Sequence, residues 1–418
     1  MPDVRAFRGV RYDVAQVGAL SDVVAPPYDV IDADQRRALL AQSPYNVVAI
    51  DLPQGGDDPY AESARLLASW RQQGIVVQDE EAAIWPLAQD YTGPDGRART
   101  RQGFLARVRI EDYGPGRIRP HERTQPGPKE DRLRLTRATR ANLSPIFSLY
   151  SDPAGRAWRA LEPATRESPW AQTTDADGTV NRLWRVSDAD AIAAAAAAVS
   201  EAEMLIADGH HRYETARVYA EEIGGEGPHR YVLMCLVALE DPGLTVFPTH
   251  RLLKGLSGEQ RESLRATIDA DFEIEELSDV GELPPRAEER LALGYLDARD
   301  RRPYRLTLRD DAIADAALSE HAEPYRRLDT AVTEALLLKG ALGLTDANID
   351  HLDGLGYARD DAQAIEAVLE GGYEVALFMA PTPVARVQAI AQAGESMPPK
   401  STYFFPKVPT GLVFNPLA

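Results

Sequence analysis

The sequence predicts an α/β (α+β) fold built on mixed sheets, and three observations carry that prediction. Short apolar runs of strand length alternate with segments whose apolar residues recur at helical spacing, from the first residues to the last. The run Met204-Leu205-Ile206-Ala207 passes through Asp208-Gly209 straight into a polar helical segment, a strand, tight turn and helix start. No Gly-x-Gly-x-x-Gly follows a strand, so a regular Rossmann succession is not expected.

Taken in order, Val23 to Ile31 reads as an extended segment, because Pro26 and Pro27 fix their own backbone and disfavour helix before them. Asp32 then caps a helix to about Gln42, and residues 60–72 form another that ends at Gly74. Residues 83–89 and 100–110 read as paired strands across the turn Gly93-Pro94-Asp95-Gly96. Residues 117–132 form a proline-stiffened basic loop followed by helical spacing, and Ile146 to Tyr150 a buried strand. The alanine run 191–198 behind Asp188 is a capped helix. Strands follow at 231–239 and 244–247, then a helix at 258–269 and strands near 292–297 and 303–308. Helices at 328–341 and 361–370, a strand at 373–379 and a helix at 383–393 complete the reading.

A chain of 418 residues has ample length for a real core and for two or three domains. Glycine and proline punctuation near 255–258 suggests a region 1–255, carrying a phosphate site, and a region 256–418, contributing the loop 397–407. The net charge of −19 argues against nucleic-acid binding over the whole surface, which needs a basic face. Small anions remain possible where positive charge is concentrated. No apolar run approaches the length of a membrane span and no signal peptide is evident, so no membrane partner and a cytoplasmic location are expected. A homo-oligomer is compatible with the sequence. The single cysteine, Cys235, lies in an apolar run and reads as a core thiol; it can form no disulfide within the chain and no Cys-based zinc site.

Four segments could carry chemistry. In Asp208-Gly209-His210-His211-Arg212 a glycine turn feeds a helix start, where backbone N–H groups and the helix dipole favour an anion. Arg212 could add a bidentate grip on a phosphate, and Asp208 could hold a metal or accept a proton. The plain alternative is a β–α turn with a helix cap. The second segment, 117–140, concentrates Lys and Arg, including Lys129, Arg132 and Arg140, around the acid–base pair His121-Glu122. Its alternative is a solvated helix with internal ion pairs to Glu130 and Asp131. The third, Met397 to Lys407, offers Lys400, Lys407, Ser401 and Thr402 but lacks the glycines of a P-loop. The fourth is His250 at a strand end, a catalytic or a structural histidine.

Together these segments resemble a known family. Ala25-Pro26-Pro27-Tyr28-Asp29-Val30-Ile31, Ser43-Pro44-Tyr45-Asn46, Pro120-His121-Glu122 and Pro128-Lys129-Glu130-Asp131-Arg132 are similar to motifs of the bacterial and archaeal domain of unknown function 1015. So are the stretch from Arg137 to Phe147, Asp208 to Arg212, and Met397 to Thr402. The resemblance spans nearly the whole chain. Asp-Gly-His-His-Arg also looks like the phosphate motif of the ParB/sulfiredoxin superfamily, whose members include ParB nucleotide-binding parts and free-serine kinases. That resemblance implies a ParB/sulfiredoxin-like element around residues 200–255, with Gly209, His210, His211 and Arg212 on phosphate and Asp208 toward metal or the transferred group. It covers about ten residues, and the rest of the chain does not align with those smaller proteins.

The leading expectation is a kinase: a nucleotide-dependent phosphotransferase using Mg²⁺ and ATP or ADP on a small polar metabolite such as free serine. Phosphoryl transfer needs basic loops, a metal carboxylate and a base. His210, His211, Arg212, Lys400 and Ser401 would serve the phosphates, Lys129, Arg132 and Arg140 the nucleotide, and Glu122, His121, Asp208 or His250 the proton. Two alternatives stand beside it: a nucleotide-binding switch that transfers nothing, and a small-anion hydrolase built on His121-Glu122. The kinase reading expects loops 25–31, 117–132, 208–212 and 397–402 to meet in one cleft.

Overall fold

The computed structural model describes residues 2–93, 96–122, 126–286 and 290–418, without the side chains of 126–128 and 350. The centre of the expected turn, Pro94-Asp95, and the stretch 123–125 of the basic loop lie outside the described residues. The chain forms two compact units: Met1–Pro120, Thr124–Thr245 and Pro406–Ala418 make the first, and His121–Arg123 with Val246–Phe405 the second. The main crossing falls after Thr245, where the sequence suggested 255, and the C-terminal residues return to the first unit.

The first unit is built on a mixed nine-stranded sheet. Ile118–Pro120, Met204–Asp208, Ile146–Tyr150, Tyr231–Ala238, Ala98–Arg109, Trp85–Thr92, Val180–Leu183 and Ala171–Thr174 lie side by side in that order, with Val4–Arg5 added against Ala98–Arg109. Two pairings are parallel, Met204–Asp208 with Ile118–Pro120 and Ile146–Tyr150 with Tyr231–Ala238; the sheet is therefore not of Rossmann type. The central strand Tyr231–Ala238 is buried along almost its full length, as its unbroken apolar run requires. On one face Phe104, Ala106, Val108, Met234 and Ile206 pack with Ala157 and Leu161 of the helix Arg156–Thr165 and Ala195 and Val199 of the alanine-rich helix. Asp188 caps the latter, accepting from the N–H of Ala191 at 2.8 Å.

The basic segment departs from the expected loop. After the strand Ile118–Pro120 the helix starts at Pro126 and runs to Thr139, so Lys129 and Arg132 sit on a helix. Prolines are tolerated there because the first turn has no helical acceptors for its N–H groups.

The second unit holds a six-stranded sheet in which each pairing is antiparallel, ordered Phe272–Glu276, Pro303–Leu308, Ala292–Asp297, Val375–Phe378, His250–Leu253, Leu355–Ala358. Ala364 and Val368 of the helix Asp361–Leu369 cover Leu252, Leu296, Ala376 and Phe378. The expected helix at 328–341 is a short α-helix, Asp329–Thr333, that continues as a π-helix, Glu334–Ala341. Among the described residues no helix is long and apolar enough to cross a membrane.

Candidate functional site

The strand Met204–Asp208 ends in a register shift against Ile146–Tyr150, between Ile206 and Asp208. Such irregularities re-aim side chains at strand ends, and here the shift sets Asp208 opposite Phe147. Gly209 follows with φ of +95°, a left-handed conformation that suits glycine. A Cβ at this position would also stand 3.0 Å from the Arg212 guanidinium, which folds back over the turn. The helix His210–Ile223 begins here, with no side-chain cap and no acidic residue in its first turn.

Asp208 is the centre of the site. Lys407 Nζ donates to its Oδ1 and Arg212 Nη2 to its Oδ2, with Asp208 and Lys407 side chains each 14% exposed. Burial alone would raise this carboxyl, but Lys407, Arg212 and His210 outweigh it and hold the group below the usual carboxylate range. Arg212 is anchored further: Nη1 donates to Ser144 Oγ at 2.6 Å and to the Pro145 carbonyl. Ser144 in turn accepts from Thr410 Oγ1 at 3.0 Å. Arg212 thus spends its Nη groups within the protein, while among the described residues its Nε has no hydrogen-bond partner. His210 is buried and His211 half-buried on the same turn.

Beside Arg212 opens a small cleft of about 40 Å³ lined by Tyr28, Asp51, Arg132, Ser144, Arg212 and Thr215, among others. Arg132 is built into its wall: Nη1 donates to the Asp51 carbonyl at 2.8 Å and to Asp51 Oδ1 at 3.2 Å, Nε donates to Asp131 at 2.7 Å, and the guanidinium lies 4.3 Å over the Tyr28 ring. Burial and Asp29 push the Tyr28 phenol up to about 12 against the pull of Arg212 and Arg132. Residues 25–31, 126–132 and 208–212 therefore belong to one unit, with Tyr28, Arg132 and Arg212 around one cleft. Lys129 contributes its carbonyl to Thr215 Oγ1 at 3.4 Å, and Arg140, exposed at φ +48°, ends its helix.

The remaining candidates belong to the second unit. His121 is buried, with Nε2 2.8 Å from Thr402 Oγ1 and its ring edge-on to Phe404. Glu122 Oε1 accepts the N–H of Lys400 at 2.8 Å, while Oε2 is 3.8 Å from His121. Lys400 is exposed at φ +59°; Ser401 is buried, donating to the Pro398 carbonyl at 2.7 Å beside Thr330. His250 is fully buried. Its Nδ1 accepts the Met379 N–H at 3.1 Å, so the proton sits on Nε2, which donates to Asp361 at 2.7 Å. Both ring nitrogens are committed, an arrangement that suits a structural histidine.

Among the described residues no group of three or more His, Cys, Asp or Glu side chains could hold a metal ion. Both Asp208 oxygens already bond to cations, so the residues present do not fit a resident Mg²⁺ at this carboxylate. Sequence reading noticed Lys407 as a point charge but not as the partner of Asp208, a pairing no local pattern encodes. Ser144 and Gln89, which accepts from Arg101 and donates to the Lys407 carbonyl at 3.0 Å, were missed.

Fold and site define an α/β protein with a mixed sheet and a cation-flanked carboxylate at a strand-to-helix turn. The family model described as "Protein of unknown function (DUF1015)" matches residues 4–331, and the chain belongs to that family. No curated protein matches the chain. Among solved structures, a conserved hypothetical protein from Pyrococcus furiosus is similar at 15% identity and a TM-score of 0.36, over 71% of this chain and 92% of its own. A free serine kinase mutant in complex with ADP is similar at 13% and 0.37, over 71% and 89%. C-terminally truncated SbnI from Staphylococcus aureus is similar at 12% and 0.38, over 73% and 85%.

Proposed function

We propose that this protein binds a nucleotide by its phosphates at the Asp208–Arg212 turn and acts as a kinase on a small polar metabolite. One observation carries the reading: two fixed cations, Arg212 and Lys407, and the uncapped start of a 14-residue helix surround a single carboxylate. The local charge is positive in a chain of net charge −19, which favours a phosphate over other small solutes. The resemblance of the Asp-Gly-His-His-Arg turn to free-serine kinases makes L-serine the first acceptor to try. Mg²⁺, in this proposal, arrives with the nucleotide and no step is assigned to it. Held ionised between two cations, Asp208 is a weak proton acceptor and in this proposal serves as the charge that orders Arg212 and Lys407.

The test is thermal shift with ADP, ATP, CTP and GTP, with and without Mg²⁺, against the matching nucleosides. Ligands of the folded state raise the melting temperature by mass action. A shift with the nucleotides, none with the nucleosides, and loss of the shift in His211→Ala support the phosphate site. Phosphoserine detected by ³¹P NMR then supports the kinase, whereas binding without product or free phosphate favours a nucleotide-binding switch. Free phosphate alone favours a hydrolase. No shift at millimolar nucleotide overturns the reading.

A further inference from the structure

Arg101, on the strand Ala98–Arg109, is among the largest fully buried side chains of the protein. Its Nε donates to Gln89 Oε1 at 3.1 Å and its Nη2 to the same oxygen, but among the described residues Nη1 has no acceptor. Among the described residues no carboxylate forms an ion pair with it. Buried arginines ordinarily come with a counter-ion, because an unpaired charge in the interior is strongly unfavourable. Arg132 shows the ordinary case within the same unit. Burial lowers both guanidinium groups, yet beside Asp51 and Asp131 Arg132 ends raised, whereas Arg101 falls to about 10.

The side chain reaches from its own strand past the neighbouring Tyr231–Ala238 and lies 4.3 Å over the ring of Phe147. Phe147 is the strand partner of Cys235 on one side and of Asp208 on the other. Arg101 is therefore extended toward the strand end that carries the turn. Gln89, which holds it, also donates to the carbonyl of Lys407, whose ammonium holds Asp208. Arg101 is thus linked through Gln89 and Lys407 to Asp208 and Arg212; Asp241 and Asp208 act on its charge through space, and among the described residues neither bonds its Nη1.

We propose that Arg101 is an anion ligand, its free Nη1 bonding a phosphate oxygen of the nucleotide at the Asp208–Arg212 turn. The assignment rests on the phosphate-site reading above. A structural role predicts instead that replacing the guanidinium disturbs folding and leaves binding alone.

The experiment measures ADP and pyrophosphate affinity by calorimetry, with melting temperature, for wild type, Arg101→Met and Gln89→Glu. Methionine keeps the apolar reach over Phe147, and a glutamate at 89 gives Arg101 an internal counter-ion. The expected result is a ligand-free melting temperature no lower than wild type in both variants. Affinity for both probes should fall about tenfold or more, the worth of one charge-assisted hydrogen bond. Affinities within about twofold of wild type overturn the role of Arg101 while the phosphate site stands. If the wild type binds neither probe, both readings fall. If Arg101→Met does not fold, Gln89→Glu decides alone, and wild-type affinity in it overturns the proposal.

Discussion

The ammonium of Lys407 donates to the carboxylate of Asp208 across a sequence separation of 199 residues. The pair ties to the Asp208–Arg212 turn a C-terminal segment that backbone bonds of Thr410 with Ala25 and of Phe414 with Val10 also hold to the first unit. Removing the Asp208 carboxylate would take away the acceptor to which both Lys407 and Arg212 donate.

Asp208→Asn should therefore destabilise the protein by about 3 kcal/mol at neutral pH, in the range for breaking one side of a buried ion pair. Because the folded carboxyl lies below its unfolded value of about 3.9, its stabilisation is complete above that pH and is lost as pH falls through the folded pKa. Urea unfolding followed by circular dichroism should show the wild-type advantage at pH 7 shrinking only in strong acid. An advantage that disappears already near neutrality would mean the pair does not form.

Gly209→Ala meets two obstacles, the φ of +95° and the Arg212 guanidinium 3.0 Å from the new Cβ. A loss of about 1–2 kcal/mol is expected from the left-handed backbone alone, together with weakened nucleotide binding as Arg212 is displaced. Denaturant titration checks the first and calorimetry with ADP the second. Full stability in the variant would contradict the turn geometry.

Cys235 is fully buried, and burial pushes its thiol up to about 12 despite the opposing pull of Arg101. A thiol with that pKa carries almost no thiolate at about pH 8. A colorimetric thiol reagent should leave the native protein unlabelled over hours and label one thiol per chain in urea. Rapid native labelling would show that the strand Tyr231–Ala238 opens readily.

His250→Ala removes an acceptor for the Met379 N–H and a donor to Asp361. The unsatisfied buried N–H and the vacated space together should cost about 2–4 kcal/mol. Thermal denaturation measures this loss. A variant that melts like wild type would return His250 to the list of chemical candidates.

Much of this protein was legible from local pattern. The strand, glycine turn and helix at 204–216 followed from Asp208-Gly209, since few backbone solutions accept that order of residues. The capped helices behind Asp32 and Asp188 followed from side-chain oxygens placed to accept N–H groups. The edge strand Phe272–Glu276 was passed over although Phe272 and Ile274 alternate with glutamates, because the run is short and Ile274 is exposed. The strand pair Ala171–Thr174 and Val180–Leu183 was equally silent, being short and polar.

By itself the sequence determined the family, the mixed α/β class and the strand, glycine turn and helix at 204–216, because each depends on neighbours along the chain. Only the tertiary structure decided what those residues hold. Arg212 and Arg132, expected to face a ligand, spend most of their donors on Asp208, Ser144, Asp51 and Asp131. Arg101, passed over in a strand, is buried with its Nη1 unbonded among the described residues. Whether a cation is spent or available depends on which acceptors folding brings within hydrogen-bond reach, and those acceptors come from strands and loops remote in the chain.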